Sequence, residues 1–159
     1  MSAQRDAWAG PAIGLTFAGG VLGGLARADA PYPRPGSTPE QVREYFTGSA
    51  GAARVSVAGQ LASSLALARF TSVVAGLDPQ SRALRVAAIA GGTLASGALA
   101  SSAVISAALT GRRGREDDSA LRLHRRAFLA GGPAHGTGSA CCSPPSGSRA
   151  PAPAGCPGP

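Results

Sequence analysis

The sequence predicts an all-α transmembrane bundle of three spanning helices and the beginning of a fourth, followed by a disordered tail. Three long stretches carry almost no charge, and the 159 residues are 44% hydrophobic but only 4% aromatic. A water-soluble core would therefore contain few large side chains to bury. The 23 glycines and many alanines instead suit helices that approach closely in lipid. We expect a transmembrane domain over residues 1–138 and a tail over 139–159.

Charge and composition argue against nucleic acid as a partner. The net charge is +7, and all 15 basic residues are arginine, with no lysine or asparagine in the chain. This bias is typical of a GC-rich genome. The densest basic stretch, residues 112–126, is interrupted by the acidic run 116–118 and has almost no aromatic side chains to stack on bases. A solvated connection between membrane segments explains it better.

The first apolar segment covers about residues 8–26 and contains no charged residue. As a helix it is roughly 28 Å long, close to the thickness of the hydrocarbon layer. Two overlapping pairs of small residues, Gly19 with Gly23 and Gly20 with Gly24, favour a close helix crossing. A cleaved signal peptide is the alternative, because Ala28-Asp29-Ala30 resembles a cleavage site.

The first connection is rich in proline and then predicts a short helix. Thr38 and Gln41 have the spacing of a capping box, and Pro39 suits the first helical position. Val42, Tyr45 and Phe46 share one face of this helix. The helix lies either on the bilayer surface, which aromatic rings favour, or against neighbouring protein segments.

The second and third spans are predicted at about residues 55–77 and 84–110. The second contains Gln60 and Arg69. Arg69 either extends its side chain to the interface, about 12 Å away, or is a buried functional arginine. The third repeats small residues every four positions, which helix packing explains. This repeat comprises Gly92, Ser96 and Ala100.

A fourth helix is predicted to begin with the amphipathic stretch 121–138. Gly131, Gly132 and Pro133 should interrupt it. From Ser139 the chain consists of serine, proline, glycine, alanine, cysteine and one arginine, a composition typical of disorder.

The order of these motifs resembles a family of uncharacterised multi-pass membrane proteins of high-GC bacteria, which share a domain of unknown function. The resemblance covers about residues 8–138. It consists of a glycine-rich first helix, the Pro-x-Glu-x-Val-x-x-Tyr type loop over 39–46, and the Leu-His…Phe-Leu-Ala-Gly-Gly-x-x-His stretch over 123–135. The resemblance implies that helix four continues as an apolar run and that further helices follow.

Here the apolar run stops near Gly138, which suggests a frameshifted or truncated C-terminus. With codons ending in G or C, the stretch from Cys141 to Arg149 shifted by two bases reads Leu-Leu-Ala-Ala-Leu-Gly-Leu-Ala. A genuine disordered tail is the alternative.

No catalytic, cofactor or metal site is predicted, and we do not expect an enzyme. Cys141, Cys142 and Cys156 match no metal-binding spacing. His124 and His135 would lie about 16 Å apart on an ideal helix, too far to share one ligand. No nucleophile elbow, phosphate-binding loop or paired intramembrane carboxylate is present in the sequence.

We therefore expect a non-enzymatic, multi-pass protein of the cell membrane that packs with itself or binds another membrane protein. Its partner is the lipid bilayer, with no cofactor. The first alternative is a small-molecule or ion transporter that uses Arg69, Gln60 and the serines, and the second is a secreted protein. The N-terminus and the connection between the second and third spans lie on the same side of the membrane and hold three arginines, whereas the opposite side holds ten. This excess predicts an external N-terminus, whereas the family resemblance suggests an internal one.

Overall fold

The computed structural model describes residues 8–34, 36–77, 80–111 and 117–134, and this part of the chain is helical with no strand. Five α-helices are followed by one π-helical turn. They are α1 (Ala9–Leu25), α2 (Pro39–Gly48), α3 (Ala50–Leu77), α4 (Arg82–Leu109), α5 (Asp117–Leu129) and the π turn (Ala130–Ala134). The all-α prediction is confirmed.

Helices α3 and α4 are each long and apolar enough to cross a membrane. Each has 28 residues and is therefore about 42 Å long. Helix α1 is also apolar but has only 17 residues, about 26 Å. The predicted bounds of α1 and α4 agree with the structure to within two residues. Helix α3 begins earlier than predicted, at Ala50, because three alanines favour helix before the apolar stretch starts and outweigh Gly51.

The long helices pack in the order α1, α3, α4, α5, each antiparallel to the next. One end of the bundle therefore holds the C-termini of α1 and α4 and the N-termini of α3 and α5. Helix α2 lies at this end and packs mainly against α5. We call it the cap end.

Backbone contact between α1 and α3 depends on glycine. A Cβ atom added to Gly20 would lie 2.7 Å from the Cα of Gly59, and one added to Gly59 would lie 2.5 Å from the Cα of Gly20. A Cβ atom added to Gly24 would collide with the side chain of Ser56. The predicted pair of Gly20 and Gly24 is thus confirmed at a helix crossing, whereas the position of Gly19 is open.

Serine hydroxyls link each pair of neighbouring long helices. Each donates a hydrogen bond to a backbone carbonyl of the next helix, at distances between 2.8 and 3.3 Å. The pairs are Ser56 with Gly20, Ser63 with Ile13, Ser64 with Ser96, and Ser102 with Ala127. Small residues at the crossings bring the backbones within reach of these short side chains.

The predicted capping box of α2 is present. The Thr38 N–H donates to the Gln41 Oε1 at 3.0 Å, and the Gln41 N–H donates to the Thr38 hydroxyl at 3.4 Å. Val42, Tyr45 and Phe46 form one buried face, packed with Ala53, Leu109 and Ala120. Because this face is covered by protein, the structure favours the packed loop helix over a helix lying on a bilayer surface.

Helix α5 starts at Asp117, before the predicted position, and gives way to the π turn at Ala130. The interruption falls where Gly131, Gly132 and Pro133 were expected to cause it. The predicted continuation of helix four beyond Ala134, the tail over 139–159 and the suspected frameshift near Gly138 all lie outside the described residues.

Replacing Gly20 by alanine should lower the free energy of unfolding by about 1–3 kcal/mol, because the added methyl group meets the backbone of Gly59. Gly19→Ala is the matched control. Its methyl group meets nothing within 4 Å, so better helix propensity should raise stability by up to about 1 kcal/mol. Thermal unfolding followed by circular dichroism measures both. Equal effects of the two substitutions would contradict the close crossing.

Ser63→Ala and Ser64→Ala should each lower the free energy of unfolding by about 1 kcal/mol, because each removes a hydrogen bond between neighbouring helices. Ser72→Ala is the control on the same helix, since Ser72 is exposed and donates only within α3. A loss for Ser72→Ala as large as for the other two would argue against a role for the links between helices.

Candidate functional site

Three aromatic residues and one histidine form a cluster at the cap end. Tyr32 comes from the first connection, Tyr45 and Phe46 from α2, and His124 from α5. The ring of Tyr32 lies 5.2 Å from that of Tyr45 and 5.9 Å from that of His124 between centroids. Phe46 lies 6.1 Å from His124 and contacts Tyr45 edge to face. We call these four residues the cap cluster.

His124 is an unusual member of this cluster because it is only 1% exposed. Both ring nitrogens are shielded from solvent, and neither has a hydrogen-bond partner among the described residues. Burial lowers the pKa of His124 below its ordinary value, and the nearby backbone of Arg34 and Pro33 opposes this shift only in part. The imidazole is therefore neutral at neutral pH.

The pKa shifts of the two tyrosines of the cap cluster also favour the uncharged form. Burial raises the pKa of Tyr45, and burial followed by the neighbouring Tyr45 raises the pKa of Tyr32. The cap cluster is therefore uncharged at neutral pH. Tyr45, Phe46 and His124 are almost fully buried, whereas Tyr32 covers them from the outer side and is 42% exposed.

A cavity of about 350 Å³ lies beneath the cap cluster, between α1, α3, α4 and α5. Its volume falls within the usual range of small-molecule sites, about 300–1,000 Å³. The described residues that line it are all uncharged. They are Phe17, Val21, Leu25, Tyr32, Tyr45, Ser56, Gln60, Leu99, Ser102, Ala127, Phe128, Gly131 and Gly132.

The polar residues that line this cavity are two tyrosines, two serines and Gln60, and both serines already donate to backbone carbonyls. Ser56 donates to the Gly20 carbonyl at 3.3 Å, and Ser102 donates to the Ala127 carbonyl at 2.9 Å. In contrast, the Oε1 of Gln60 is buried and has no hydrogen-bond partner within the described part of the chain. A buried acceptor without a donor is costly. Because the Oε1 of Gln60 has essentially no accessible surface, it does not face the cavity, although other atoms of Gln60 line it.

The structure separates the residues that the sequence suggested for a transport path. Gln60 lines the cavity, but Arg69 lies on the exposed surface of α3 and does not line it. This exposure agrees with an arginine that reaches toward an interface and not with one buried inside the bundle. Ser64, Ser102 and Ser106 are buried at helix crossings, whereas Ser101 is exposed. These serines do not form one polar stripe.

Residues 8–34, 36–77, 80–111 and 117–134 contain no group of three or more His, Cys, Asp or Glu side chains that could hold a metal ion. His135, Cys141, Cys142 and Cys156 lie outside the described residues. Within the described part, the cavity has an uncharged wall of aromatic and aliphatic side chains with a few hydroxyl and amide groups.

Sequence reasoning placed Gln60 on a candidate transport path with Arg69 and assigned no site to His124. It also missed Tyr32, which joins the cap cluster to the cavity. The clustering of Tyr32 with the Tyr45-Phe46 pair had no local signal, because these residues meet only through the packing of α2 against α5. An apolar cavity between helices also has no signal in the order of residues along any one helix.

No protein-family model matches this chain, and no curated protein or solved structure matches it significantly.

Acid should destabilise the fold through His124. Below about pH 6.5 an unfolded chain binds a proton at this imidazole, whereas the native state with its lowered pKa does not. The free energy of unfolding should therefore fall as the pH falls from about 7.5 to about 5.5. His124→Phe should remove this loss and raise stability at neutral pH by about 1 kcal/mol, because two unpartnered nitrogens disappear.

Thermal unfolding measured across this pH range tests the effect. Arg125→Gln, on the exposed side of α5, is the control and should keep the pH dependence of the original protein. A His124→Phe protein with the same loss in acid would show that another group causes it.

Proposed function

We propose that this protein is a multi-pass helical protein of the cell membrane, with α1, α3 and α4 as its spans. In this proposal α5 is the amphipathic entry at the cap end, outside the spans, and the π turn leads into a fourth membrane segment. Its role is to pack with itself or to bind another membrane protein, and it is not an enzyme.

The observation that carries this proposal is that small side chains lie inside the bundle and large apolar side chains lie on its surface. In α1, α3 and α4 the buried positions are mainly alanine, glycine, serine and threonine, and the large apolar side chains buried there are Val57, Leu67, Leu99 and Leu109. Twelve large apolar side chains of the same helices are at least 39% exposed. They are Leu15, Phe17, Leu22, Leu25, Leu61, Leu65, Leu77, Leu84, Val86, Ile89, Leu94 and Val104.

Water does not favour this arrangement. In water, each exposed leucine lacks a stabilisation of about 25 cal/mol for every Å² of apolar surface that remains unburied. Soluble monomers also rarely expose large continuous apolar patches. Hydrocarbon solvates the same side chains without this cost. Helix association in lipid then depends on small residues and polar links of the kind found here.

The charged residues of the long helices fit the same interpretation. Arg27 and Arg54 lie near the cap end, and Arg82 and Arg85 lie at the start of α4, at the opposite end of the bundle. Arginines near the ends of a span place their guanidinium groups in the headgroup region. Arg69, at about 12 Å from the end of α3, is the deepest of those on α3 and α4 and is exposed.

Two alternatives have less support. Signal-peptide cleavage near Ala30 would release α1, although α1 packs along α3 and the Asp29 N–H donates to the Ser49 hydroxyl at 3.1 Å. Transport through a path of Arg69 and Gln60 lacks support because the two residues do not share the cavity. Membership of the bacterial membrane-protein family that the sequence resembles is part of the proposal, since that family is multi-pass.

Washing membranes that contain the protein with alkaline carbonate should leave it in the pellet, because three apolar spans hold it in the bilayer. Reporters fused after Gly36 and in the connection between α3 and α4 should lie on opposite sides of the membrane. The excess of arginine at the cap end predicts that the first fusion is cytoplasmic. A peripheral protein fused to the same tag is the control.

Release of the protein by carbonate would contradict a membrane-spanning fold. Two reporters on the same side would contradict α3 as a complete span. A mature N-terminus close to Pro31 would support the secreted alternative.

A further inference from the structure

We infer that the outer face of α5 binds the phosphate groups of anionic phospholipids through Arg122, Arg125 and Arg126. We call these three residues the α5 arginine face. The inference rests on the proposed membrane location, which places a bilayer beside the bundle. It goes beyond the packing or partner-binding role because it assigns a binding surface and a class of lipid.

The α5 arginine face points away from the rest of the protein. Ala120, His124 and Ala127 are buried against the bundle, whereas the three arginines are all exposed. The arginines follow one another at spacings of three and four residues, which places them on one side of the helix. Their guanidinium groups therefore form one continuous basic surface.

This basic surface has little neutralisation from the described protein. Arg122 donates to the Ser119 hydroxyl at 3.3 Å, and no hydrogen bond or ion pair joins Arg125 or Arg126 to another described residue. Helices α1, α3 and α4 contain no aspartate or glutamate. Like charges at such spacings on a helix repel one another, and a bound anion removes that repulsion. An anion from outside the chain is therefore the complementary partner.

The position of the face along the bundle matches the boundary between hydrocarbon and headgroups. The Ser102 hydroxyl donates to the Ala127 carbonyl, so these residues lie at one level of the antiparallel pair α4 and α5. Val104 and Arg125 each lie two residues, about 3 Å, nearer the cap end. Val104 is apolar and 62% exposed, as suits the edge of the hydrocarbon. Because side chains tilt toward the N-terminus of their helix, the α5 arginines extend from this level toward the cap end.

Helix α5 becomes apolar toward the centre of the bundle. Phe128 and Leu129 follow directly after Arg126 and are 46% and 60% exposed. Guanidinium groups above exposed apolar side chains are typical of a helix at a bilayer surface. This order favours lipid over an acidic protein segment or a nucleic acid, because either of those partners would leave the two apolar side chains in water.

Charge determines which phospholipids the face prefers. A guanidinium group binds a phosphate through two parallel N–H bonds. The phosphate is the only charged group of phosphatidylglycerol, whereas phosphatidylcholine also carries an ammonium group that the three arginines repel. We therefore expect phosphatidylglycerol to be enriched beside the face at least about threefold over phosphatidylcholine at low salt.

Local quenching of tryptophan fluorescence in nanodiscs tests the inference. The full chain carries Trp8→Phe and Leu129→Trp, so the reporter lies about one helical turn from Arg125 and Arg126. The nanodiscs contain equal amounts of phosphatidylglycerol and phosphatidylcholine, and only one of the two lipids is brominated on its acyl chains. Brominated phosphatidylglycerol should quench the reporter more strongly than brominated phosphatidylcholine, and raising NaCl from about 0.05 to about 0.5 M should reduce the difference.

Two triple variants with the same loss of charge show whether the face causes this preference. Arg122→Gln, Arg125→Gln and Arg126→Gln together should bring the preference close to one. Arg69→Gln, Arg82→Gln and Arg85→Gln together should leave it unchanged, because these arginines lie away from the cap end. All six side chains are exposed, so both variants should keep the helix content measured by circular dichroism.

Several results would overturn the inference. Equal quenching by the two lipids at position 129 would show that the face has no preference for anionic lipid. A preference that survives the loss of Arg122, Arg125 and Arg126, or that both triple variants lose equally, would assign it to the charge of the whole protein. In the original protein, quenching of Trp8 by either lipid reports membrane contact independently. Failure of the proposed membrane location can therefore be told apart from failure of the lipid preference.

Discussion

The close approach of helix backbones at small residues is the interaction on which the rest of this structure depends. The contact of Gly20 with Gly59 brings α1 against α3 without any side chain between them. At this separation a serine hydroxyl, which is only one carbon from its backbone, can reach a carbonyl of the neighbouring helix. The links from Ser56, Ser63 and Ser64 follow from that geometry. Dispersion between closely packed backbones and these bonds replace the large apolar core that the composition cannot supply.

The cap end follows a different rule from the body of the bundle. Here Val42, Tyr45 and Phe46 are almost fully buried, together with Leu109 and His124. These are the kinds of side chain that build the core of a water-soluble domain, and they lie where the chain forms connections and a short helix. The protein therefore has two parts. Large apolar side chains cover the outside of the helical bundle, and a small core of the kind found in soluble domains lies at one end. The cavity lies at the junction between the two regions, where tight packing of small residues gives way to looser packing of rings.

Local signals in the sequence predicted a large part of this fold. The capping box of Thr38 and Gln41 fixed the start of α2, and the Gly-Gly-Pro run located the change from α5 to the π turn. Small-residue spacing identified Gly20, Gly23 and Gly24, which face α3, but it applied equally to Gly19, which is open. The direction of a neighbouring helix is not encoded in the helix itself. The site was less predictable. Its wall comes from seven segments, and the burial of His124 depends on α2 and the first connection covering α5.

The cap cluster also affects the order in which the chain can assemble. Tyr32 precedes α2, whereas His124 lies in the last described α-helix, so the two rings can meet only after nearly all the intervening chain has been synthesised. Pairing of α1 with α3, and of α3 with α4, involves segments much closer in sequence and can occur sooner. Until α5 emerges, Tyr45 and Phe46 can pack only against segments such as α3 and α4, and part of their surface stays uncovered. Completion of α5 is the step that buries these two rings.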